Sequence, residues 1–158
     1  MARRLRPVGS DFAGTAPVRL VFAREVSAAP DRVFHALAED VAGWPRWFSA
    51  VTDARPSDGG AGREIRLRGG MRFAETVLAA QAPEVYAYRV DTTNAPGLRA
   101  LAEEWRLSPA PGGGTRVQWT FAADGTAAFR LALTLGRSGL GRAFRGAVTA
   151  LERHLAAS

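Results

Sequence analysis

Two glutamates sit among apolar residues at the spacing expected for one face of a β-strand. Glu75 lies two residues after Phe73, and Glu103 lies two residues before Trp105. In a β-strand each carboxyl group would therefore point to the same face as a large apolar side chain. A carboxyl group that is buried without a partner has a raised pKa and can act as a general acid or base. The competing interpretation is a structural ion pair with one of the 21 basic residues, all of them arginine.

The strand that carries Glu75 has two possible registers. In the first, Glu75 faces the interior. In the second, the Gly-Gly pair at 69–70 forms a two-residue hairpin, which places Glu64 opposite Glu75 and turns the alternate residues inward. The candidates for proton or anion chemistry are therefore Glu75, Glu103 and, in the second register, Arg72. The inward set of that register is Arg72, Ala74, Thr76 and Leu78.

Large aromatic residues recur on the predicted inward faces and in the segment "WPRWF" at 44–48. Tyrosine and tryptophan combine a flat apolar surface with one hydrogen-bonding group, which suits a planar, polycyclic or prenylated guest that carries a few oxygens. The alternative is a filled core in which the same side chains pack against each other. The candidate ligand-binding residues on the predicted strands and on the C-terminal helix are Phe73, Tyr86, Tyr88, Trp105, Trp119, Phe144 and Val148.

The elements that must position these residues follow from the periodicity of the chain. Residues 18–26 alternate as a first strand, Pro30 favours the start of a short helix, and Pro45 favours a second short helical turn. Beyond Val51, six short alternating runs are separated by turns rich in glycine and proline. Such a series of runs predicts an antiparallel meander with one apolar face.

After Asp124 the alternation gives way to helical spacing. Glycines at 136, 139 and 141 predict a shorter helical segment, a bend and then the main helix, because glycine lowers helix stability. Only the main helix is long enough to cover the sheet, so the sequence predicts an α+β domain over residues 17–158, with residues 1–16 as a flexible lead-in. The apolar stripe of this helix consists of Leu140, Phe144, Val148, Leu151 and Leu155.

Composition argues against several kinds of site. The chain of 158 residues has no cysteine and only two histidines, which removes disulfides, thiolate nucleophiles and zinc sites and predicts neither a metal nor a cofactor. The net charge of +6 comes from arginines scattered along the chain without a nucleic-acid-binding motif, so no nucleic-acid partner is expected. The lack of a signal-peptide pattern and of a long apolar run predicts a cytoplasmic protein. The sequence leaves open whether it is a monomer or a homodimer.

The segment "GRSGLGRAFRG" has two interpretations. As a basic amphipathic patch it would contact an anionic membrane surface, whereas as part of the apolar helix stripe its large side chains would face the interior. Its closely spaced glycines do not indicate a dinucleotide site, since no βαβ unit surrounds them. The basic patch would consist of Arg137, Arg142 and Arg145 around Leu140 and Phe144.

The segments "SAAPDRVFHALAED", "WPRWFSAV", "EWRLSPAPGGGTRVQWTF" and the closing "ALERHL" resemble the START-like helix-grip superfamily, also called SRPBCC, and within it the polyketide cyclase/dehydratase branch. The resemblance covers residues 18–157. It implies a seven-stranded curved antiparallel sheet around a long C-terminal helix, with two short helices between the first and second strands. It also implies a deep apolar cavity for a lipid-, quinone- or polyketide-like molecule. Trp44 and Phe48 would border this cavity, and Trp47 would pack in the core.

Two departures from the branch bear on the reaction. Aromatase/cyclases carry a tyrosine just after the Trp-Pro segment and an arginine near the end of the fourth strand, and the matching positions here are Val51 and Gln81. Neither side chain can supply that proton or anion chemistry, so aromatase activity of the usual kind is not expected. Three hypotheses remain. The first is a module that binds a hydrophobic small molecule, and the second is a cyclase- or dehydratase-like enzyme that uses a cavity carboxylate or arginine for proton transfer. The third is a membrane-surface or quinone-chaperone role for the arginine-rich terminal segment.

Overall fold

The computed structural model describes residues 1–158, the whole chain. Its strands are β1 (Arg3–Arg4), β2 (Val18–Val26), β3 (Val51–Ser57), β4 (Gly62–Leu67), β5 (Arg72–Gln81), β6 (Val85–Thr93), β7 (Leu98–Pro109) and β8 (Thr115–Gly125). All but the short β1 form one antiparallel path in the order β2-β8-β7-β6-β5-β4-β3. The strands β3 to β8 are therefore a meander, and β2 lies at its end beside β8, as the alternating runs predict.

Apart from a short helix before β2 and a 3₁₀ turn between β3 and β4, neither of which was predicted, the helices follow the predicted order. They are α1 (Phe12–Thr15), α2 (Pro30–Phe34) with a π-helical turn at His35–Glu39, 3₁₀ helices at Val41–Arg46 and Asp58–Gly60, α3 (Ala127–Leu135) and α4 (Arg137–Ala156). Gly136 separates α3 from α4, at the bend that the glycine spacing predicts. None of the helices combines the length and hydropathy needed to cross a bilayer.

The long helix α4 packs on the inner face of the curved sheet. The ring of Phe144 stacks on Trp119 of β8 at a centroid distance of 5.9 Å and on Phe22 of β2 at 6.0 Å. Gly141 permits this approach, because a Cβ at that position would lie 3.2 Å from the Phe22 ring. The predicted α+β helix-grip architecture, with seven main strands around a C-terminal helix, is therefore confirmed.

The first residues of the chain are part of the sheet, which corrects the prediction of a flexible lead-in at residues 1–16. The pairing of β6 with β7 stops halfway along β6, so the two strands diverge there. The backbone N–H of Leu5 donates to Asp91 O at 2.8 Å, and that of Arg6 donates to Arg99 O at 2.9 Å. The segment thus bridges the diverging strands and satisfies backbone groups that would otherwise be unpaired.

The short helix α1 covers the outer face of the sheet. Phe12 is buried against Ala100, Ala102 and Ala122, which belong to the strand faces opposite to α4. The small side chains of these alanines leave room for the phenylalanine ring to pack closely on that face. Sequence periodicity did not reveal this contact, because a helix of four residues is too short to show a pattern.

The register of the β4–β5 hairpin decides which side chains face the interior. Arg63 lies opposite Glu75 and Ile65 lies opposite Phe73, so the first of the two predicted registers is the observed one. The turn contains three residues, including two glycines with φ of 90°, and the extra residue shifts the pairing by one. Arg72 is therefore exposed, and the prediction that it enters the interior is wrong.

Candidate functional site

A buried ion pair lies on the inner face of the sheet. Arg63 Nε donates a hydrogen bond to Glu75 Oε1 at 2.5 Å, and the two side chains are 2% and 1% exposed. Their strands place the two residues directly opposite each other, where cross-strand side chains interact most strongly. The low polarizability of the surroundings strengthens the attraction between the charges, while burial makes each charge costly without the other.

Aromatic rings surround the guanidinium group of Arg63. Its Cζ atom lies 3.8 Å from the ring centroid of Tyr88, 4.3 Å from that of Trp44 and 5.7 Å from that of Tyr86. Cation–π attraction to these rings replaces part of the hydration that the arginine loses on burial. One guanidinium nitrogen, Arg63 Nη1, is buried and has no hydrogen-bond partner.

The second buried carboxylate, Glu103, is held by two aromatic donors. Its Oε1 atom accepts a hydrogen bond from the Tyr88 hydroxyl at 2.9 Å and another from Trp119 Nε1 at 2.8 Å. The Tyr88 oxygen in turn accepts a hydrogen bond from Trp105 Nε1 at 3.1 Å. Tyr88 thus links the two halves of the cluster, since its ring faces Arg63 and its hydroxyl binds Glu103.

Burial changes the acidity of these groups. Desolvation raises the pKa of Glu75 from 4.5 to about 7, although the charge of Arg63 opposes the rise. Desolvation also raises the pKa of Glu103, against the opposing effects of Arg63 and of the hydrogen bonds from Tyr88 and Trp119. The pKa of Tyr88 lies well above its usual value because of burial and the nearby Glu103 charge. A pKa of about 7 allows Glu75 to exchange a proton near neutral pH.

A cavity of about 140 Å³ lies beside the cluster. Twelve of its 15 lining residues are hydrophobic, and the polar ones are members of the buried cluster. A lining of this kind, mostly apolar with a few converging polar groups, is typical of small-molecule sites. The lining residues are Trp44, Phe48, Ala50, Val51, Arg63, Ile65, Leu67, Phe73, Glu75, Tyr88, Glu103, Trp119, Phe121, Leu140 and Ala143.

The cavity has a polar floor and an apolar rim. The floor consists of the ion pair together with Tyr88 and Glu103, all of them buried. The rim includes the half-buried Phe73 and Leu140 and the exposed Ala143. Because Leu140 and Ala143 belong to the first turns of α4, the opening lies next to the α3–α4 bend.

Five of the nine predicted ligand-binding residues line this cavity, and four do not. Trp44, Phe48, Phe73, Tyr88 and Trp119 belong to the lining. The other four, Tyr86, Trp105, Phe144 and Val148, are buried in the core cluster outside the lining. Their inward orientation agrees with strand alternation for Tyr86 and Trp105 and with the helical stripe for Phe144 and Val148. Trp47 also lies in the core and outside the lining.

Arg63 is a site residue that was not predicted from the sequence. The available signal was its position in "REIRLR", where Arg63 has the same parity as Ile65 and Leu67 and hence lies on their face of β4. In a chain with 21 arginines, the simplest interpretation of any one of them is a solvated surface charge. Only its pairing with Glu75 on the neighbouring strand distinguishes Arg63 from the others. The carboxylates Glu75 and Glu103 were selected, and the structure brings both to the cavity floor.

Aromatic side chains occupy much of the interior that the family resemblance assigns to a deep cavity. The rings of Trp44 and Trp47 lie 4.6 Å apart, and those of Trp105 and Trp119 lie 5.5 Å apart. Phe144 of α4 packs against both members of the second pair. The remaining volume of about 140 Å³ is below the range of about 300–1,000 Å³ that is usual for drug-sized ligands.

A larger groove of about 590 Å³ lies at the surface between α2 and the end of α4. Eight of its ten lining residues are not hydrophobic, and they include Asp31, Arg32 and both histidines. This groove lacks the apolar lining of a site for a hydrophobic molecule. The inner cavity is therefore the candidate site.

The structure distinguishes between the two interpretations of the arginine-rich segment "GRSGLGRAFRG". Leu140 lines the cavity and Phe144 is 1% exposed, so neither presents an apolar surface to a membrane. Arg142 and Arg145 remain exposed on the outer side of α4. The structure thus favours the cavity-facing stripe over the basic amphipathic patch.

Comparison with known proteins places the chain in a family. Residues 17–156 match the family described as polyketide cyclase / dehydrase and lipid transport. The chain belongs to this family. It is 30% identical over 152 residues to an uncharacterized protein of Mycobacterium tuberculosis, with 93% of this chain and 90% of that protein covered. An uncharacterized protein of Mycobacterium bovis matches with the same identity and coverage.

Solved structures with low sequence identity share the fold of this family member. A protein from Rhodobacter sphaeroides is 21% identical, with a TM-score of 0.68 and 99% of both chains covered. A START superfamily protein from Mycobacterium smegmatis is 10% identical, with a TM-score of 0.61, and the match covers 81% of this chain and 96% of that chain. These likenesses confirm the START-like fold that the sequence resemblance implies.

The raised pKa of Glu75 predicts a loss of stability as the pH rises. Between the ordinary pKa of 4.5 and the value of about 7 in the fold, the native state binds more protons than the unfolded state, so the free energy of unfolding falls. In Glu75→Gln we expect the fall between about pH 5 and about pH 8 to be smaller by roughly 1–3 kcal/mol. Urea unfolding at both pH values measures this difference.

Glu64→Gln is the matched control for this prediction, because Glu64 is exposed on the adjacent strand β4. It should retain the pH dependence of the wild-type protein. Glu103 contributes in the same direction and is present in both variants. The same pH dependence in Glu75→Gln as in the wild type would show that Glu75 has an ordinary pKa in the fold.

Proposed function

We propose that the protein binds a small hydrophobic molecule in the cavity between the sheet and α4. The observation that carries this proposal is the combination of an apolar, partly exposed rim with a buried polar floor. A guest would place its apolar body against the rim side chains and a polar group near the floor. Membership of a family described by lipid transport as well as by cyclase and dehydrase activity supports the same function.

The size of the cavity limits the guest. A dry apolar cavity of about 150 Å³ binds benzene, and the cavity here is of similar volume, about 140 Å³. The present conformation therefore accommodates a molecule of about one ring. A longer lipid-, quinone- or polyketide-like guest would need α4 to move at Leu140 and Ala143, next to the bend at Gly136.

A second candidate function is proton transfer on a bound substrate, as in a cyclase- or dehydratase-like enzyme. The observation that favours it is the position of Glu75, which lines the cavity and has a pKa of about 7. In this function Glu75 takes a proton from the carbon beside a substrate carbonyl, and the electrons of that C–H bond form the enolate. Val51 lines the cavity but has no ionisable group, and Gln81 is exposed. Neither residue can therefore take the place of the tyrosine or the arginine that aromatase/cyclases carry at these positions.

Closing the rim tests ligand binding. Ala143→Phe places a large side chain at the exposed rim of the cavity, so we expect at least about a tenfold loss of affinity for toluene, an apolar one-ring probe. Ala156→Phe is the control, since Ala156 is exposed near the other end of the same helix. Titration followed by tryptophan fluorescence reports binding, because Trp44 and Trp119 line the cavity.

The outcomes of this titration are distinct. Wild-type affinity in Ala156→Phe together with weak binding in Ala143→Phe would support the cavity as the site. Failure of the wild-type protein to bind toluene, or equal binding by both variants, would contradict the proposal. Mass spectrometry of compounds that co-purify with the protein identifies the natural guest.

The enzymatic alternative predicts exchange of carbon-bound protons. The wild-type protein should accelerate the exchange of the α-protons of cyclohexanone in D₂O, followed by NMR, and Glu75→Gln should lower this rate by roughly 10²–10⁴-fold. Glu103→Gln tests the second carboxylate in the same way, and the exposed Glu64→Gln is the control. No acceleration by the wild-type protein, or an unchanged rate in Glu75→Gln, would exclude Glu75 as the base for ketone enolisation.

A further inference from the structure

We infer that Arg63 Nη1 is the specificity group of the cavity and that it donates a hydrogen bond to a neutral carbonyl-type oxygen of the guest. The inference rests on the proposed binding function and adds the chemical class of the molecule. The class consists of small cyclic or aromatic ketones, aldehydes, esters and quinones.

The first argument is the unpaired donor. Arg63 Nη1 is the single buried side-chain nitrogen or oxygen of the protein without a hydrogen-bond partner. Its residue is 2% exposed and lines the cavity. A buried charged donor that lacks an acceptor costs free energy, and an acceptor supplied by a guest recovers that cost. The rings of Tyr88 and Trp44 lie against the guanidinium, and neither supplies an acceptor to Nη1. An acceptor on a guest would bind Nη1 in the plane of the guanidinium.

The second argument concerns charge. Two carboxylates, Glu75 and Glu103, lie near the one buried guanidinium, and Asp91 adds a further negative charge close to Glu75. With either buried glutamate ionised, the charge of Arg63 is already balanced. An anionic guest would therefore meet repulsion from the carboxylates, and a cationic guest would meet repulsion from Arg63. A neutral oxygen acceptor avoids both penalties.

The third argument is the distribution of polar groups in the cavity. The polar residues belong to the buried floor, and the rim is apolar. Such a lining suits a guest with an acceptor at one end and a hydrocarbon body at the other. In about 140 Å³ the body is about one ring.

Three one-ring probes test the inference on the wild-type protein. Cyclohexanone carries the carbonyl oxygen, methylenecyclohexane has the same shape without the oxygen, and cyclohexanecarboxylate is an anion. We expect cyclohexanone to bind at least about tenfold more tightly than methylenecyclohexane, because its oxygen accepts a hydrogen bond from a charged donor. The carboxylate should bind more weakly than the ketone.

A double variant removes the donor together with its ion-pair partner and leaves Glu103 held by its hydrogen bonds from Tyr88 and Trp119. In Arg63→Met with Glu75→Leu, the ketone and the alkene should bind with affinities equal within about twofold. Arg66→Met is the control, because Arg66 is exposed on the same strand, and it should keep the wild-type ratio. Infrared spectroscopy adds a direct readout, since the carbonyl stretch of bound cyclohexanone should lie at lower frequency in the wild type than in the double variant.

The possible failures are distinguishable. If neither neutral probe binds the wild-type protein, the proposed binding function fails. If both bind equally, or if the ketone keeps its advantage in the double variant, the cavity binds hydrophobic molecules but Arg63 does not select them by a carbonyl group. Tighter binding of the carboxylate than of the ketone would overturn the neutral class in favour of an anionic one.

Discussion

A charge inside an apolar interior needs an opposite charge and hydrogen-bond partners, and this constraint governs the centre of the protein. The β4–β5 register meets it by placing Arg63 opposite Glu75. The rings of Tyr88 and Trp44 then pack on the guanidinium, and the Tyr88 hydroxyl binds Glu103. The aromatic residues therefore have two roles, since they fill the space under α4 and also stabilise the buried charges.

This arrangement connects the fold with the function proposed for it. Ring stacking between β7, β8 and α4 leaves a cavity of about 140 Å³ instead of a deep chamber. The buried charges make one end of that cavity polar, whereas the open end beside the α3–α4 bend is apolar. Under the proposed function, this cavity would select a guest by its size and by one acceptor oxygen, and Glu75 would lie beside that guest.

The architecture could be predicted from the sequence because period-two alternation and the helical stripe are local signals. The site could be predicted only in part. Alternation shows which face of the sheet a side chain lies on but not whether it reaches the cavity. The cavity-lining Tyr88 and Trp119 could therefore not be distinguished from the core residues Tyr86 and Trp105. The register of Glu75 depended on one residue in a glycine turn, and the role of Arg63 followed from its partner on another strand. The placement of Leu5 between diverging strands likewise depends on a long-range gap that no local pattern reveals.

The most direct test of this account is a double-mutant cycle on the buried ion pair, measured by urea unfolding near neutral pH. The account predicts that Arg63→Met and Glu75→Leu are each strongly destabilising, because each leaves the other side chain buried without the partner that it contacts directly. The double variant should recover much of the loss, with a coupling free energy of about 2 kcal/mol or more. Additive effects, with a coupling below about 0.5 kcal/mol, would contradict the claim that this pair organises the interior.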